Sequence, residues 1–346
     1  MHAPELTDYM KDQAAKLDEV SDEIDKVNVL KLKSQAKDKA TYDKAAAAAE
    51  KAEAARLEAL YDGESQFDAE KDKTAFRQYE DACDRVKNFY AASLSPSLFR
   101  TKADVDGQEQ HLKQTYEYNV KMREEFRNTT RARMSVWEAM ELLDNLVDES
   151  DPDTSVGQIE HLLQTAEAIR RDGKPEWMQV VGLIHDLGKL LCFFGADGQW
   201  DVVGDTFVVG CQFSDKIIYP ETFKVNPDYN NHKLNTKYGV YEPNCGLENV
   251  LLSWGHDEYM YDICKNQSTL PKEGLAMIRY HSFYPWHREG AYQHLMVEDD
   301  WEQLKAVKAF NPYDLYSKSD DPPKKEELGP YYRSLIDKYF PEEVQW

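Results

Sequence analysis

Residues 180–191 read VVGLIHDLGKLL. Apolar residues occur on every side of this stretch, which is typical of a helix in the middle of a core. His185, Asp186 and Lys189 interrupt the apolar run, and burying such groups is costly unless their charge is compensated. A metal ion compensates several of them at once, and imidazole and carboxylate are suitable ligands for iron, manganese or zinc. The stretch therefore predicts a core helix that carries metal ligands.

Helical periodicity recurs through most of the chain beyond residue 130. It predicts helices over 136–147, 159–169, 178–193, 248–264, 273–281, 300–310 and 328–340. Strand patterns are scarce: residues 202–203 and 207–209 predict either a small hairpin or an ordered loop. Residues 219–243, rich in Pro and Asn, predict a long loop. The expected fold class is therefore all-α, a helical bundle with functional loops.

The composition of the chain limits the kinds of partner that it can bind. The 346 residues include 42 Lys+Arg and 64 Asp+Glu, a net charge of −22. Such acidity argues against nucleic acid and anionic membranes as partners. The first 30 residues are polar and charged, and no run approaches the roughly 18 apolar residues of a membrane helix. Five scattered cysteines without a C-x-x-C pair indicate neither a disulfide framework nor a thiolate zinc site. We expect a soluble, cytoplasmic, monomeric protein.

Residues 1–75 differ in composition from the rest of the chain. Residues 1–70 hold 15 alanines, one Phe and no Trp. Their helix propensity is high, but their apolar surface is too small for a core of their own. Two interpretations are open, a solvated and partly helical extension or a docking or coiled-coil arm. From residue 76 onward aromatic residues are dense, so we expect one folded domain over 76–346.

Further candidate ligands lie in similar apolar settings. They are His161, His256, His281 and Asp314. With His185 and Asp186 they make six ligands on five segments, more than one tetrahedral ion needs. Six ligands suit two ions about 3.5–4 Å apart if one aspartate bridges them. Taken singly, each histidine is also compatible with a hydrogen-bonded core residue.

The remaining histidines lack such a setting. We assign them to the surface or to the outer contacts of the ligands: His2, His111, His232, His287 and His294. Asp257, which follows His256, is equally compatible with a solvated neighbour of the site.

Longer stretches resemble the myo-inositol oxygenase family, within the HD-domain superfamily of helical metalloproteins. The similar stretches follow one another in order from about residue 76 to the C-terminus. They are LVDESDPD at 146–153, GLIHDLGK at 182–189, VGDTF at 203–207, CGLENVL at 245–251, SWGHDEY at 253–259, HSFYPWH at 281–287 and LIDKY at 335–339. The resemblance implies an HD-domain-like helical bundle around a diiron site.

The resemblance also implies a reaction. The family cleaves the ring of myo-inositol to D-glucuronate, the first step of inositol catabolism, in a four-electron oxidation that uses one O2 and a mixed-valent pair of iron ions. By resemblance, His161, His185, Asp186 and Asp314 hold one iron, and Asp186 bridges to a second that His256 and His281 also hold. Asp186 and Lys189 would be catalytic. The implied substrate contacts are Arg77, Asp148, Asp151, Lys189, Gly204, Asp205, His281, Ser282 and Lys318.

Two features depart from the family pattern. The arm before Phe76 has no counterpart in the animal form. An insertion at about 91–107 contains Ser-Leu-Ser-Pro-Ser and is compatible either with a tolerated surface loop or with an error in the gene model.

Two other functions would use the same ligands. An HD-type phosphohydrolase would act through a metal-bound hydroxide and need basic residues for phosphate. Asp148 and Asp151 would instead repel a phosphate. A metal-binding scaffold without catalysis predicts degraded ligands, yet all six are intact. The sequence therefore favours the oxygenase.

Overall fold

The computed structural model describes residues 110–146, 157–315 and 323–346. Helices predominate in these ranges, and the predicted all-α fold class is confirmed for them. The α-helices are α1 (Tyr116–Arg127), α2 (Val136–Leu143), α3 (Gln158–Arg171), α4 (Glu176–Ile184), α5 (His256–Gln267), α6 (Lys272–Tyr280), α7 (Tyr284–His287), α8 (Glu298–Leu315) and α9 (Lys325–Tyr339). The arm over 1–75 and the insertion at 91–107 lie outside the described residues, so both remain predictions.

Shorter elements complete the described part. Strand β1 (Arg133–Met134) pairs antiparallel with β2 (Val344–Gln345), so the C-terminus closes against the start of α2. The described ranges contain six 3-10 helices, at Leu187–Phe193, Gln199–Asp201, Pro220–Val225, Pro227–Asn230, Leu247–Asn249 and Gln293–Leu295. Two of them break up the predicted loop over 219–243. None of the described helices combines the length and apolar content needed to cross a membrane.

The core gathers around α4. Its side chains Val180, Val181, Leu183 and Ile184 have no exposed surface. Helix α3 packs along α4, and α6, α8 and α9 also contact it. A helix that is apolar all round requires neighbours on every side, and α4 has them. The end of this central helix is therefore a buried position.

Caps fix where the neighbouring helices begin. Ser135 accepts a hydrogen bond from the Glu138 N–H while Glu138 accepts one from the Ser135 N–H, which starts α2 with a capping box. At the start of α3, the Asp144 carboxylate accepts a hydrogen bond from the Ile159 N–H at 3.1 Å. This contact ties the end of α2 to the first turn of α3, where His161 lies.

The predicted single helix over 178–193 is wrong. Helix α4 ends at Ile184, and the chain continues as a 3-10 helix from Leu187. A Cβ atom on Gly188 would lie only 2.0 Å from the His256 carbonyl oxygen. The two backbones therefore touch at Gly188, and the chain takes the tighter i→i+3 path along the start of α5. The His185-Asp186 pair sits at the break between the two helices.

The predicted helix over 248–264 is wrong in its first part, because α5 begins only at His256. Residues 250–253 are extended and pair with residues 207–209. The Val209 N–H donates to the Leu251 carbonyl at 3.0 Å, and the Ser253 N–H donates to the Phe207 carbonyl at 2.7 Å. Residues 207–209 therefore do not form a hairpin with 202–203. Extended pairing satisfies the backbone of these apolar segments while both of their faces are buried.

Candidate metal centre

All six predicted ligands meet at the end of α4. His161 comes from the first turn of α3, and His185 and Asp186 follow α4. His256 is the first residue of α5, His281 follows α6, and Asp314 lies in the last turn of α8. Among the described residues, two groups have ligand atoms within 4.8 Å of one another, and both contain Asp186. One group is completed by His161 and His185, the other by His256 and His281.

The Asp186 carboxylate divides its oxygens between the two groups. Its Oδ2 atom lies 3.7 Å from the Nε2 atom of His161 and 3.6 Å from that of His185. Its Oδ1 atom lies 3.5 Å from Nε2 of His256 and 3.7 Å from Nε2 of His281. One oxygen facing each group is the arrangement that a bridging carboxylate requires.

Asp314 adds a second carboxylate beside the first group. Its Oδ1 atom lies 3.3 Å from Nε2 of His161 and 3.2 Å from Nε2 of His185. The first group thus has two imidazoles and two carboxylates, and the second has two imidazoles and the shared carboxylate. Both are donor sets that iron, manganese and zinc accept.

Backbone carbonyls orient three of the imidazoles. The Nδ1 atoms of His185, His256 and His281 lie 2.9, 2.7 and 2.9 Å from the carbonyl oxygens of Gly182, Val202 and Ile278. Because a carbonyl oxygen only accepts, Nδ1 carries the proton and Nε2 keeps its lone pair in the neutral ring. Histidine ligands in metal sites are held by outer contacts of this kind.

The electrostatics of the pocket favour cations. Burial opposes ionisation of Asp186, but Lys189 and His185 hold its pKa well below the usual range. Burial also opposes ionisation of Asp314, but its contacts with the His161 and His185 side chains hold its pKa well below the usual range. Burial alone would lower the pKa of His281, yet Asp257 and Asp186 raise it to about 9. Three carboxylates face this pocket, and the donor set therefore fits divalent metal ions.

Lys189 contacts the shared carboxylate directly. It follows Asp186 by three residues on the 3-10 helix, and its Nζ atom lies 2.8 Å from Asp186 Oδ2. The side chain is buried. A buried ammonium at this position places one positive charge beside the negative pocket.

Asp257 belongs to the pocket, so its interpretation as a solvated neighbour is wrong. It is 1% exposed. Its Oδ1 atom lies 2.8 Å from His256 Nε2 and 3.3 Å from His281 Nε2. Its Oδ2 atom accepts a hydrogen bond from the Thr206 hydroxyl at 2.9 Å. The chain contains a second His-Asp pair at 256–257, and this repeat of the 185–186 pair was the signal that could have identified it.

Five of the nine residues expected to contact the substrate lie in the part of the chain that the structure describes. The Ser282 hydroxyl donates to Asp257 Oδ1 at 3.2 Å, and the Ser282 carbonyl accepts from the Thr206 N–H at 3.0 Å. These bonds bring the Gly204-Asp205 loop beside the second group. Gly204 has a φ of 109°, a conformation that favours glycine. The four other predicted contacts, Arg77, Asp148, Asp151 and Lys318, lie outside the described residues.

The five remaining histidines have different outcomes. His287 is an outer contact, as expected, because its Nε2 atom lies 2.9 Å from the His281 carbonyl oxygen. His232 is exposed and His294 partly exposed. The assignment of His111 to the surface or to the ligands' contacts is wrong, because its ring is buried and stacks on Phe223 with centroids 3.9 Å apart. His2 lies outside the described residues.

Comparison with known proteins identifies the family. The model of the family described as "Myo-inositol oxygenase" matches residues 102–346. A probable inositol oxygenase of Oryza sativa subsp. japonica is 51% identical over 279 residues, which cover 79% of this chain and 85% of the relative. The inositol oxygenase of Dictyostelium discoideum is 48% identical over 287 residues, 81% of this chain and 92% of the relative. Inositol oxygenase 1 of Arabidopsis thaliana is 56% identical over 240 residues, 68% and 77% of the two chains. This chain belongs to the myo-inositol oxygenase family.

Proposed function

We propose that this protein is a myo-inositol oxygenase, an oxidoreductase that uses O2 to cleave the ring of myo-inositol to D-glucuronate at a diiron centre. The observation that carries the proposal is the position of Asp186, whose two oxygens face two separate histidine groups. Family membership over residues 102–346 supports the same reaction.

The six residues would hold two iron ions. His161, His185, Asp186 and Asp314 would bind one, and Asp186, His256 and His281 the other. On this assignment the second ion would have three protein ligands, with room for substrate oxygens and O2. Asp257, whose Oδ1 atom lies 2.8 and 3.3 Å from the two Nε2 atoms, would be a hydrogen-bonding neighbour of that ion's ligands. When bound, an iron pair in the mixed-valent state supplies the redox capacity for a four-electron oxidation.

Asp186 and Lys189 are the catalytic residues of this proposal. The carboxylate of Asp186 fixes the two halves of the centre relative to each other. The ammonium of Lys189, 2.8 Å from that carboxylate, stabilises negative charge on a nearby substrate oxygen and holds a proton for it. Burial strengthens this effect, because water screens the charge poorly there.

Hydrogen-bonding groups around the second histidine group would bind the substrate. Inositol is a neutral polyol with many O–H donors, so hydroxyl and carboxylate oxygens are suitable acceptors. Ser282 lies beside His281 and is hydrogen-bonded to Asp257. The proposed contacts are His281, Ser282, Lys189, Gly204 and Asp205, together with Arg77, Asp148, Asp151 and Lys318 from the family resemblance.

The test couples two measurements. The protein is loaded with iron under a mild reductant, myo-inositol is added, and oxygen uptake is followed together with glucuronate formation. We expect one glucuronate for each O2 consumed. Iron-loaded protein that consumes no oxygen with inositol contradicts the proposal. Release of phosphate from nucleotides or phosphate esters would instead support the phosphohydrolase.

All six ligands come from one chain, so a monomer is sufficient for this centre. Analytical ultracentrifugation of the iron-loaded protein tests the expected monomer. The cytoplasmic location also remains a prediction.

A further inference from the structure

We propose that Glu258 and Arg279 form a positioning pair that sets the spacing between His256 and His281. Through that spacing the pair would set the affinity of the second histidine group for a divalent metal ion. This inference rests on the metal centre proposed above, and it does not depend on the identity of the substrate.

The pair joins the two helices that carry these histidines. Glu258 follows His256 by two residues on α5, and Arg279 precedes His281 by two residues on α6. The Arg279 Nε atom donates to Glu258 Oε1 at 2.5 Å, and an Arg279 Nη2 atom lies 3.4 Å from Glu258 Oε2. Two contacts between a planar guanidinium and a carboxylate fix direction as well as distance.

A third charged group anchors the pair to α1. The Arg123 Nη2 atom donates to Glu258 Oε2 at 2.7 Å and to the Leu252 carbonyl at 2.6 Å. Arg279 also donates to the Val250 carbonyl at 3.2 Å. The cluster therefore ties α1, α5, α6 and the extended 250–253 segment together.

Stability alone does not account for this cluster. All three side chains are buried, with 4–5% of their surface exposed. Apolar residues of similar volume often stabilise a core as well as or better than a buried ion cluster. What such residues lack is a directional contact that fixes one helix against another.

The second histidine group requires that α5 and α6 be fixed against each other. The Nε2 atoms of His256 and His281 lie 3.2 Å apart and come from separate helices. Metal–ligand distances tolerate only about 0.2 Å of error. Two residues correspond to about 3 Å of helix rise, so the Glu258–Arg279 contact lies within one turn of both imidazoles. A small displacement of α5 along α6 would therefore change the distance between the two Nε2 atoms.

The experiment titrates metal-free protein with Co²⁺ well below the unfolding temperature. Equilibrium dialysis gives the number of ions and their affinities, and visible absorption of Co²⁺ reports the ligand geometry. The variants are E258Q and R279K, and R279K keeps the positive charge but lacks the two-pronged contact. The matched control is E167Q, which removes another buried carboxylate, on α3, that accepts from Arg170 at 2.7 Å and Tyr332 at 2.6 Å.

We expect wild-type protein to bind two Co²⁺ ions. E258Q and R279K should each weaken one of the two by about tenfold, the lower end of the effect of removing outer contacts in metal sites. E167Q should lower the melting temperature and leave both affinities unchanged. If E258Q does not fold, R279K carries the test alone.

Two results would overturn the inference while leaving the metal centre intact. One is wild-type affinity for both ions in the positioning variants. The other is an equal loss in E258Q and E167Q, which would show a general effect of destabilisation. Wild-type protein that binds no Co²⁺ would overturn the metal centre and this inference together.

Discussion

His256 and His281 present their Nε2 atoms 3.2 Å apart, although one opens α5 and the other follows α6. Asp186 Oδ1 lies 3.5 and 3.7 Å from the same two atoms. Three residues from three segments thus place their donor atoms around one point. Asp186 Oδ2 belongs to the other group, so the two halves of the centre should be separable by mutation.

His256→Ala should remove one of two bound iron ions. The variant loses an imidazole of the second group and leaves His161, His185 and Asp314 in place. We expect iron content to fall from about two to about one per chain and ring cleavage to stop. Iron analysis after gel filtration measures this, with circular dichroism to confirm the fold. His294→Ala, which removes a partly exposed histidine, is the control and should keep both ions; unchanged iron in His256→Ala would refute the assignment.

Lys189→Met should separate chemistry from metal binding. The long apolar side chain keeps the volume and removes the ammonium that lies 2.8 Å from Asp186 Oδ2. We expect kcat to fall about 100-fold, as when one charge-stabilising donor is removed from an active site. Both irons should stay bound, because the carboxylates remain and a neighbouring positive charge is gone.

The control for Lys189→Met is Lys305→Met, which removes an exposed lysine paired with Glu302 on α8. It should leave kcat unchanged. Loss of iron from Lys189→Met would show that Lys189 is needed to assemble the centre rather than to act in the reaction.

Gly188→Ala should disturb both stability and metal binding. Its Cβ atom would lie 2.0 Å from the His256 carbonyl oxygen and 2.7 Å from the His256 Cα atom, so α5 must move away. Overpacking of this kind typically lowers the free energy of unfolding by up to about 3 kcal/mol. Urea unfolding and iron analysis measure the two effects.

Gly329→Ala is the matched control for Gly188→Ala. Its Cβ atom would meet Trp137 at an ordinary 3.4 Å. Helix propensity favours alanine over glycine by about 1 kcal/mol, whereas the following Pro330 disfavours the helical conformation of a residue that has a Cβ atom. The two effects oppose each other, so we expect a change below about 1 kcal/mol. Equal effects of the two substitutions would contradict the close contact between Gly188 and His256.

His111 should make the protein sensitive to mild acid. Burial lowers its pKa from 6.5 to about 3, so the folded state keeps the ring neutral while the unfolded state takes up a proton. Its contribution to stability is therefore present above pH 6.5 and is lost as the pH falls towards 3. The slope is about 1.4 kcal/mol per pH unit for one proton.

The measurement is urea unfolding of the metal-free protein at pH 7 and pH 5.5. Wild-type protein should lose about 1 kcal/mol more than His111→Gln between these two values. His232→Gln, a substitution of an exposed histidine, should behave like wild type. An equal loss of unfolding free energy in wild type and in His111→Gln would contradict the prediction that the buried His111 ring stays neutral in the folded state.

The sequence was sufficient for the class of fold and for the six residues that lie together at the end of α4. Helical periodicity in most segments beyond residue 130, together with the scarcity of strand patterns, predicted the all-α class. Imidazoles and carboxylates in apolar settings predict a compensating ion, because their burial is otherwise costly. Local patterns were also sufficient for most helix positions, although their ends differ by several residues.

Local patterns failed where distant segments decide the outcome. The helix predicted over 178–193 breaks because Gly188 lies against the His256 backbone. The helix predicted from residue 248 starts late because 250–253 pair with 207–209. Asp257 and His111 look like ordinary polar residues until the packing buries them.

The amino-acid sequence by itself determined which residue types enter the core, because hydrophobic periodicity and the energetic penalty for burying charge are local properties. It thereby determined the helical fold class and the six candidate donors. Only the tertiary structure decided how those donors are divided. Asp186 faces both groups because α4 ends where α3, α5, α6 and α8 meet, and that meeting point depends on contacts between residues far apart in the chain.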